Sequence, residues 1–153
     1  MKKIILIHGP NLNLLGKRDI KHYGNRTLTM LEDIVKKEAK KLKISIIAFQ
    51  SNHEGALIDF LQKHRNADGI IINPGALTHY SFALHDALLD TNLPAIEVHL
   101  SNISKREKWR SFSVTAPACK KVISGKKVKG YLEALHYLNK ILDAKHDFTE
   151  SND

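Results

Sequence analysis

The fold is decided by Gly69-Ile70-Ile71-Ile72-Asn73, a run with no polar side chain between its two ends. A strand buried on both faces is continuously apolar, which is typical of the centre of a parallel sheet. Pro74-Gly75 follows at once and indicates a turn. A similar apolar run occupies residues 3–8 and ends in His8-Gly9-Pro10. We therefore expect several buried strands that open into loops at one edge of a sheet.

Short apolar runs alternate with amphipathic segments along the whole chain. The predicted strands are 3–8, 44–49, 69–73, 95–98 and 121–124, and the predicted helices begin near Thr29, Ser51, Ser81 and Gly130. This alternation predicts an α/β fold, a flavodoxin-like, doubly wound, five-stranded parallel sheet in three α/β/α layers. We expect one domain over residues 1–153, with a flexible polar tail at about 146–153.

Two helix starts carry capping-box patterns, in which a hydroxyl residue precedes a glutamate by three positions. These are Thr29-x-x-Glu32 and Ser51-x-x-Glu54. The polar loop predicted at residues 9–26 is long for a compact domain, and long loops often act as lids over functional sites.

Composition limits the class of protein. The formal net charge is +8, which permits binding to nucleic acid, to a membrane surface or to acidic metabolites. Aromatic residues make up only 7%, without the basic-aromatic interleaving that stacks bases, and no segment is long enough to span a membrane. Cys119 is the one cysteine, which is consistent with a reducing compartment. We expect a cytoplasmic protein that binds neither nucleic acid nor membrane.

Polar side chains follow three of the predicted strands. Asn11 and Asn13 follow the first strand, Asn73 and His79 lie at the end of the third, and the fourth leads into Glu97-Val98-His99-Leu100-Ser101. Ligands of doubly wound sheets bind outside the carboxyl ends of the strands, where right-handed crossovers collect these loops. Each set alone has an ordinary explanation as turn chemistry. Three sets at one edge predict a binding site there.

Glu97 and His99 are two positions apart, so on a regular strand their side chains face the same way. The carboxylate can then fix the imidazole tautomer and favour its protonated form, which suits a general acid near neutral pH. A surface ion pair is the alternative interpretation.

Other kinds of site find little support. The histidines show no useful metal-ligand spacing, Ser101 lacks a nucleophile-elbow motif, and the loop after the first strand has neither nucleotide-binding glycine signature. We expect no metal and no cofactor.

Several motifs, in order along residues 3–142, closely resemble the type II 3-dehydroquinate dehydratase family of the shikimate pathway. They are Gly9-Pro10-Asn11-Leu12-Asn13-Leu14-Leu15-Gly16, Arg18, Tyr23-Gly24, Gln50-Ser51-Asn52-x-Glu54-Gly55, Ile72-Asn73-Pro74-Gly75-Ala76, Thr78-His79, Asp86-Ala87-Leu88, Glu97-Val98-His99-Leu100-Ser101-Asn102 and Arg106-Glu107.

The resemblance implies a lyase that reversibly dehydrates 3-dehydroquinate to 3-dehydroshikimate through an enolate, without metal or organic cofactor. It implies Tyr23 as the base, Arg18 as its activator, His99 as the general acid, Glu97 as the group that orients His99, and Asn11 as a holder of the water that stabilises the enolate. The substrate-binding residues implied are Asn73, His79, Asp86, Leu100, Ser101 and Arg110. It also implies a homo-oligomer, a dodecamer of trimers, in which a neighbour completes the site.

The chain departs from the family pattern at Lys17-Arg18-Asp19-Ile20 and at Tyr80. The competing hypothesis is a basic RNA- or anion-binding module of the same fold. It rests only on the net charge of +8.

Overall fold

A computed structural model describes the backbone of residues 1–150 and the side chains of residues 1–145. The strands are β1 (Lys2–His8), β2 (Ile44–Gln50), β3 (Gly69–Asn73), β4 (Ala95–His99) and β5 (Lys121–Ser124), and the helices are α1 (Ile20–Tyr23), α2 (Leu28–Lys41), α3 (Glu54–Lys63), α4 (Phe82–Asp90) and α5 (Val128–Glu150). Short 3-10 turns lie between several of them.

The five strands form one parallel sheet in the order β2-β1-β3-β4-β5. This order confirms the predicted flavodoxin-like α/β fold. The register pairs His8 with Asn73 across β1 and β3, and His99 with Ser124 across β4 and β5. The strand ends that carry polar side chains therefore meet at one edge of the sheet, as predicted.

The core has two halves, one on each face of the sheet. Ile4 and Leu6 point to one face and Ile5 and Ile7 to the other, as strand alternation requires, and all four are fully buried. The first half packs beneath α2 and α5, and the second packs beneath α3 and α4. Burial of each such side chain stabilises the fold by about 1.5–3 kcal/mol.

Both predicted capping boxes are wrong in detail. Thr27, not Thr29, caps α2, and its side chain accepts a hydrogen bond from Met30 N at 3.2 Å. Helix α3 begins only at Glu54, and its N-cap is His53. The Ser51 hydroxyl accepts from His53 N at 2.9 Å and so closes a turn before that helix.

The loop predicted at residues 9–26 contains two regular segments, a 3-10 turn at Leu12–Leu14 and the one-turn helix α1. Gly9 enters this loop in contact with the β3 loop, because a Cβ there would lie 2.2 Å from Pro74 O. Asn11 then adopts a left-handed conformation with φ of 69°.

The backbone of α5 stays helical to Glu150, so the tail expected at about 146–153 begins within this helix. Residues 151–153 lie outside the described part of the chain. Across the residues that the structure describes, no helix combines the length and the apolar character that crossing a membrane requires.

Candidate active site

A cavity of about 100 Å³ lies at the carboxyl edge of the sheet. Nine of the predicted site residues line it: Asn11, Arg18, Tyr23, Asn73, His79, His99, Leu100, Ser101 and Arg110. Two larger depressions of about 470 Å³ each and one of about 260 Å³ contain none of the predicted residues, and one of about 310 Å³ contains only Leu100 and Ser101 of them. We therefore take the smaller cavity, where the polar groups converge, as the candidate site.

The Tyr23 phenol is held between two guanidinium groups. Arg18 Nη2 donates to the phenol oxygen at 3.1 Å and Arg106 Nη1 donates at 2.8 Å. The Arg18 guanidinium also stacks over the Tyr23 ring, 3.9 Å from its centre. Two guanidinium groups, which stay charged in proteins, therefore contact one phenol oxygen.

Helix α1 presents Tyr23 from the loop. Asp19 caps this helix by accepting from Lys21 N at 3.0 Å, and its other carboxylate oxygen lies 2.6 Å from His22 Nδ1. The hydrogen bond with His22 lowers the pKa of Asp19, so the cap stays ionised near neutral pH. Gly24 ends the helix with φ of 78°, a conformation that glycine adopts without steric cost.

His99 and Glu97 form a buried pair. Their side chains are 5% and 0% exposed, and His99 Nε2 lies 3.1 Å from Glu97 Oε2. The predicted same-side geometry is thus present, and the alternative of a surface ion pair is wrong. Because the carboxylate binds Nε2, Nδ1 is the ring nitrogen left for a ligand in the cavity.

Three hydroxyl groups surround the Glu97 carboxylate. Thr78 Oγ1 donates to Oε1 at 3.0 Å, Ser113 Oγ donates to Oε2 at 2.9 Å, and Thr115 Oγ1 also donates to Oε1. Burial raises the pKa of Glu97, but the hydrogen bonds from His99, Thr115 and Ser113 outweigh it and leave that pKa below its ordinary value. The carboxylate is therefore ionised and fixed in orientation behind His99.

His79 is held in place by a hydrogen bond through Nδ1 and by a contact of its ring. Its Nδ1 lies 2.6 Å from Phe112 O, and its ring meets Trp109 edge-on with centres 5.2 Å apart. Since a carbonyl oxygen only accepts, Nδ1 carries the hydrogen and Nε2 is the acceptor of the neutral ring. Burial lowers the pKa of His79, which favours that neutral form.

The loop after β1 is tied to the end of β2. Asn11 N donates to Asn52 Oδ1 at 3.0 Å, and Gln50 Nε2 donates to the same oxygen at 3.0 Å and to Gly9 O at 3.2 Å. These bonds hold the left-handed backbone of Asn11, a conformation that costs about 1–2 kcal/mol for most residues. The Gln50-Ser51-Asn52 motif thus fixes the residue that lines the cavity.

Asp86 does not line the cavity of this chain. It lies on α4 with its side chain 76% exposed, next to His85 Nδ1 at 3.1 Å. Arg106, which was not among the predicted site residues, also lines the cavity. The Arg106-Glu107 motif was visible in the sequence. Arg106 and Tyr23 are 83 positions apart, however, so no local sequence pattern predicts their contact.

Within the described residues, no three His, Cys, Asp or Glu side chains are grouped so as to hold a metal ion. The pKa of the Cys119 thiol is raised to about 12, chiefly by burial. Little thiolate, the form that acts as a nucleophile, is therefore present at neutral pH.

Comparison with known proteins gives consistent results. The model of a family described as "Dehydroquinase class II" matches residues 2–139. A 3-dehydroquinate dehydratase of Caldicellulosiruptor saccharolyticus is 54% identical over 144 residues, which cover 93% of this chain and 99% of that protein.

Two solved structures are also similar. A type II dehydroquinase from Butyrivibrio crossotus superposes with a TM-score of 0.89 at 46% identity and covers 90% of this chain and 97% of its own. One from Propionibacterium acnes gives a TM-score of 0.88 at 33% identity, covering 92% and 97%.

Proposed function

The chain belongs to the class II dehydroquinase family and is a hydro-lyase, and from that premise we propose that it dehydrates 3-dehydroquinate to 3-dehydroshikimate with Tyr23 as the base and His99 as the general acid. The observation that carries the proposal is that Tyr23 and His99 line one cavity, each with charged partners suited to its role. The relatives are named as dehydratases, which favours the enzyme over the basic RNA- or anion-binding module.

In the first step, the Tyr23 phenolate removes the proton next to the substrate ketone, and the electron pair moves onto the ketone oxygen to give an enolate. Arg18 and Arg106 support this step because their positive charges stabilise the phenolate oxygen before it takes up the proton. Asn11 holds a water molecule against the enolate oxygen. Its left-handed backbone, fixed by Asn52, supports this assignment.

In the second step, the enolate collapses, the carbon–oxygen bond breaks, and His99 gives its proton to the departing hydroxyl group. Glu97 acts through His99 as a positioning residue and stabilises the imidazolium. The products are the conjugated enone and water. The enzyme is restored when the proton held by Tyr23 passes to solvent and His99 takes up a proton from solvent. No oxidant, reductant or cofactor is needed for this balance.

The remaining side chains bind the substrate. Asn73, His79, Ser101 and Arg110, with the Leu100 backbone, together bind its hydroxyl groups and its carboxylate. The position of all five at the cavity supports these roles. The guanidinium of Arg110 lies over the Trp109 ring, 4.0 Å from its centre, and its Nε lies 2.7 Å from Glu107 Oε2. These contacts limit the orientations open to Arg110.

Asp86 would complete the site from a neighbouring copy in a dodecamer of trimers. The exposed apolar side chains near it support an assembly, because Phe82 and Leu89 on the same helix and Tyr80 just before it are 67%, 50% and 62% exposed. Sedimentation should give the mass of twelve chains. Coexpression of Asp86→Ala and Tyr23→Phe chains should restore part of the activity that each variant lacks alone.

One assay tests the reaction itself. The conjugated enone product absorbs in the ultraviolet, so its formation from 3-dehydroquinate can be followed directly, with and without a chelator. We expect turnover that the chelator leaves unchanged. Absence of turnover in the folded wild-type enzyme would overturn the proposed function, and loss of turnover on chelation would overturn the cofactor-free mechanism.

A further inference from the structure

The orientation of the Asn73 amide is determined by two hydrogen bonds. Gly75 N lies 3.0 Å from Asn73 Oδ1, and Tyr131 Oη lies 2.9 Å from Asn73 Nδ2. A backbone N–H only donates, so the atom facing Gly75 must be the amide oxygen. The nitrogen therefore faces Tyr131 and donates one of its two hydrogens to the phenol. Its second hydrogen is the one left for a ligand in the cavity.

Tyr131 lies behind the site and takes no part in the proposed reaction. Its side chain is fully buried, and it lies in the first turn of α5. Burial raises the pKa of Tyr131, so this phenol stays neutral. Tyr23, by contrast, lies between two guanidinium groups. Its position depends on the close approach of α5 to the sheet, because a Cβ at Gly130 would lie 3.3 Å from Ile123 Cγ2.

A second buried group supports Tyr131 from the other side. The His8 ring is fully buried with its centre 6.0 Å from that of Tyr131, and His8 Nε2 lies 3.4 Å from Glu32 Oε1 on α2. At that distance the two atoms are in polar contact but do not form a well-formed hydrogen bond. The nearby His8 ring, with a smaller contribution from Lys36, lowers the pKa of Glu32, so that carboxylate is ionised near neutral pH. Tyr131 is thus confined between the sheet, α2 and the Asn73 amide.

We propose that Tyr131 is a positioning residue that holds the Asn73 amide with its free N–H directed at the substrate. The inference rests on the proposed function, since it concerns how the same cavity binds 3-dehydroquinate. Without the phenol oxygen, the buried Asn73 N–H has no partner on that side, and the amide gains rotational freedom. Substrate binding should weaken while the reacting groups Tyr23 and His99 remain in place.

The test is Tyr131→Phe, which removes one oxygen and conserves the buried shape. We expect the KM for 3-dehydroquinate to rise about 3- to 10-fold, as for the loss of one hydrogen bond, with kcat changed less than 2-fold. Tyr137→Phe is the matched control, because Tyr137 lies on the same helix but contacts Lys121 instead of the site. That control should keep wild-type kinetics.

A double-mutant cycle separates positioning from general destabilisation. In an Asn73→Ala background, Tyr131→Phe should raise KM no further, because the group that it orients is already gone. An equal rise in both backgrounds, or an unchanged KM in Tyr131→Phe, would overturn the inference. A purely structural role would lower the melting temperature and the apparent kcat, and would leave KM unchanged.

A second measurement uses the wild-type enzyme alone and does not depend on the folding of the variant. In ¹⁵N-labelled protein, the side-chain amide hydrogens of Asn73 should exchange at least 10-fold more slowly than those of the exposed Asn52, because one is bonded to a buried phenol. Equal exchange rates would overturn the inference. An enzyme that is inactive in the wild-type form would instead overturn the proposed function.

Discussion

Arg106 Nη1 donates a 2.8 Å hydrogen bond to the phenol oxygen of Tyr23, a residue 83 positions earlier in the chain. Tyr23 belongs to helix α1 in the loop after β1, whereas Arg106 belongs to the loop after β4. The contact therefore joins the loop predicted to act as a lid to the loop that follows β4. Arg106 also lies 3.4 Å from Ser101 Oγ, so one guanidinium bridges the proposed base and a proposed substrate-binding residue.

Tyr23→Phe and His99→Ala should each abolish measurable turnover and preserve the fold. The first removes the proposed base and the second removes the proposed acid, and each kind of group contributes about 10²- to 10⁴-fold to rate. Enone absorbance measures turnover, and circular dichroism measures the fold. Tyr137→Phe and His136→Ala, both on α5 and outside the cavity, are the controls and should be fully active. Near-normal activity in either site variant would refute its assigned role.

Arg106→Lys and Arg18→Lys should each reduce kcat/KM by about 10- to 100-fold. Lysine keeps the charge but loses the fork of donors, so the phenolate is stabilised less. The pH–rate profiles of both variants should differ from that of the wild type, because the point charge of lysine contacts the phenol oxygen with a different geometry. Arg65→Lys is the control, since Arg65 only approaches Asp90 O at 3.4 Å. If the profiles of both site variants coincide with that of the wild type, the arginines do not activate Tyr23.

Asn52→Ala should lower kcat by about 3- to 10-fold, with a smaller change in KM. It removes the acceptor of Asn11 N, and the left-handed Asn11 backbone then loses a hydrogen bond worth about 0.5–1.5 kcal/mol. Asn11→Ala combined with Asn52→Ala should be no slower than Asn11→Ala alone. Asn139→Ala, which removes a contact with Lys2 on the far side of the molecule, is the matched control. Additive effects in the double variant would contradict the positioning of Asn11 by Asn52.

Cys119 should react slowly with thiol reagents at pH 8 in the native enzyme and rapidly after unfolding. Its pKa, raised to about 12 chiefly by burial, leaves almost no thiolate at that pH. Time courses with a chromogenic disulfide, in buffer and in guanidinium, measure the two rates. Equal rates would show that the thiol is accessible and ionised in the native state.

The strands could be predicted almost to the residue because their signal is local. A run such as Gly69–Asn73 is apolar between its ends because both faces of the sheet are covered, and β1 contains a similar run. The start of α2 could not be predicted as well, because Thr27 and Thr29 have identical capping chemistry. Thr27 has the extended backbone of an N-cap residue, whereas Thr29 already lies within the helix.

The site was predictable where polar residues follow strands and unpredictable where the contact is long-range. Glu97 and His99 are two positions apart on one strand, so their pairing follows from strand geometry. Tyr131 fits an amphipathic helix stripe, and nothing nearby in the sequence signals its bond to Asn73, 58 positions earlier. Arg106 poses the same difficulty. Such residues become visible only when the chain is folded.

Glu97→Gln should destabilise the enzyme most at neutral pH and progressively less in acid. The folded pKa of Glu97 lies below its ordinary value of 4.5, so the stability that its ionisation contributes is fully present above about pH 4.5. That contribution is lost as the pH falls through the lower, folded pKa.

Because glutamine cannot ionise, the difference in melting temperature between wild type and variant should be largest near pH 7 and shrink below pH 4.5. Other carboxylates with lowered pKa, such as Glu32 and Glu133, are common to both proteins and cancel in that difference. Thermal melts from pH 3.5 to 7 measure it, and a difference that grows on acidification would mean that Glu97 is protonated in the folded enzyme.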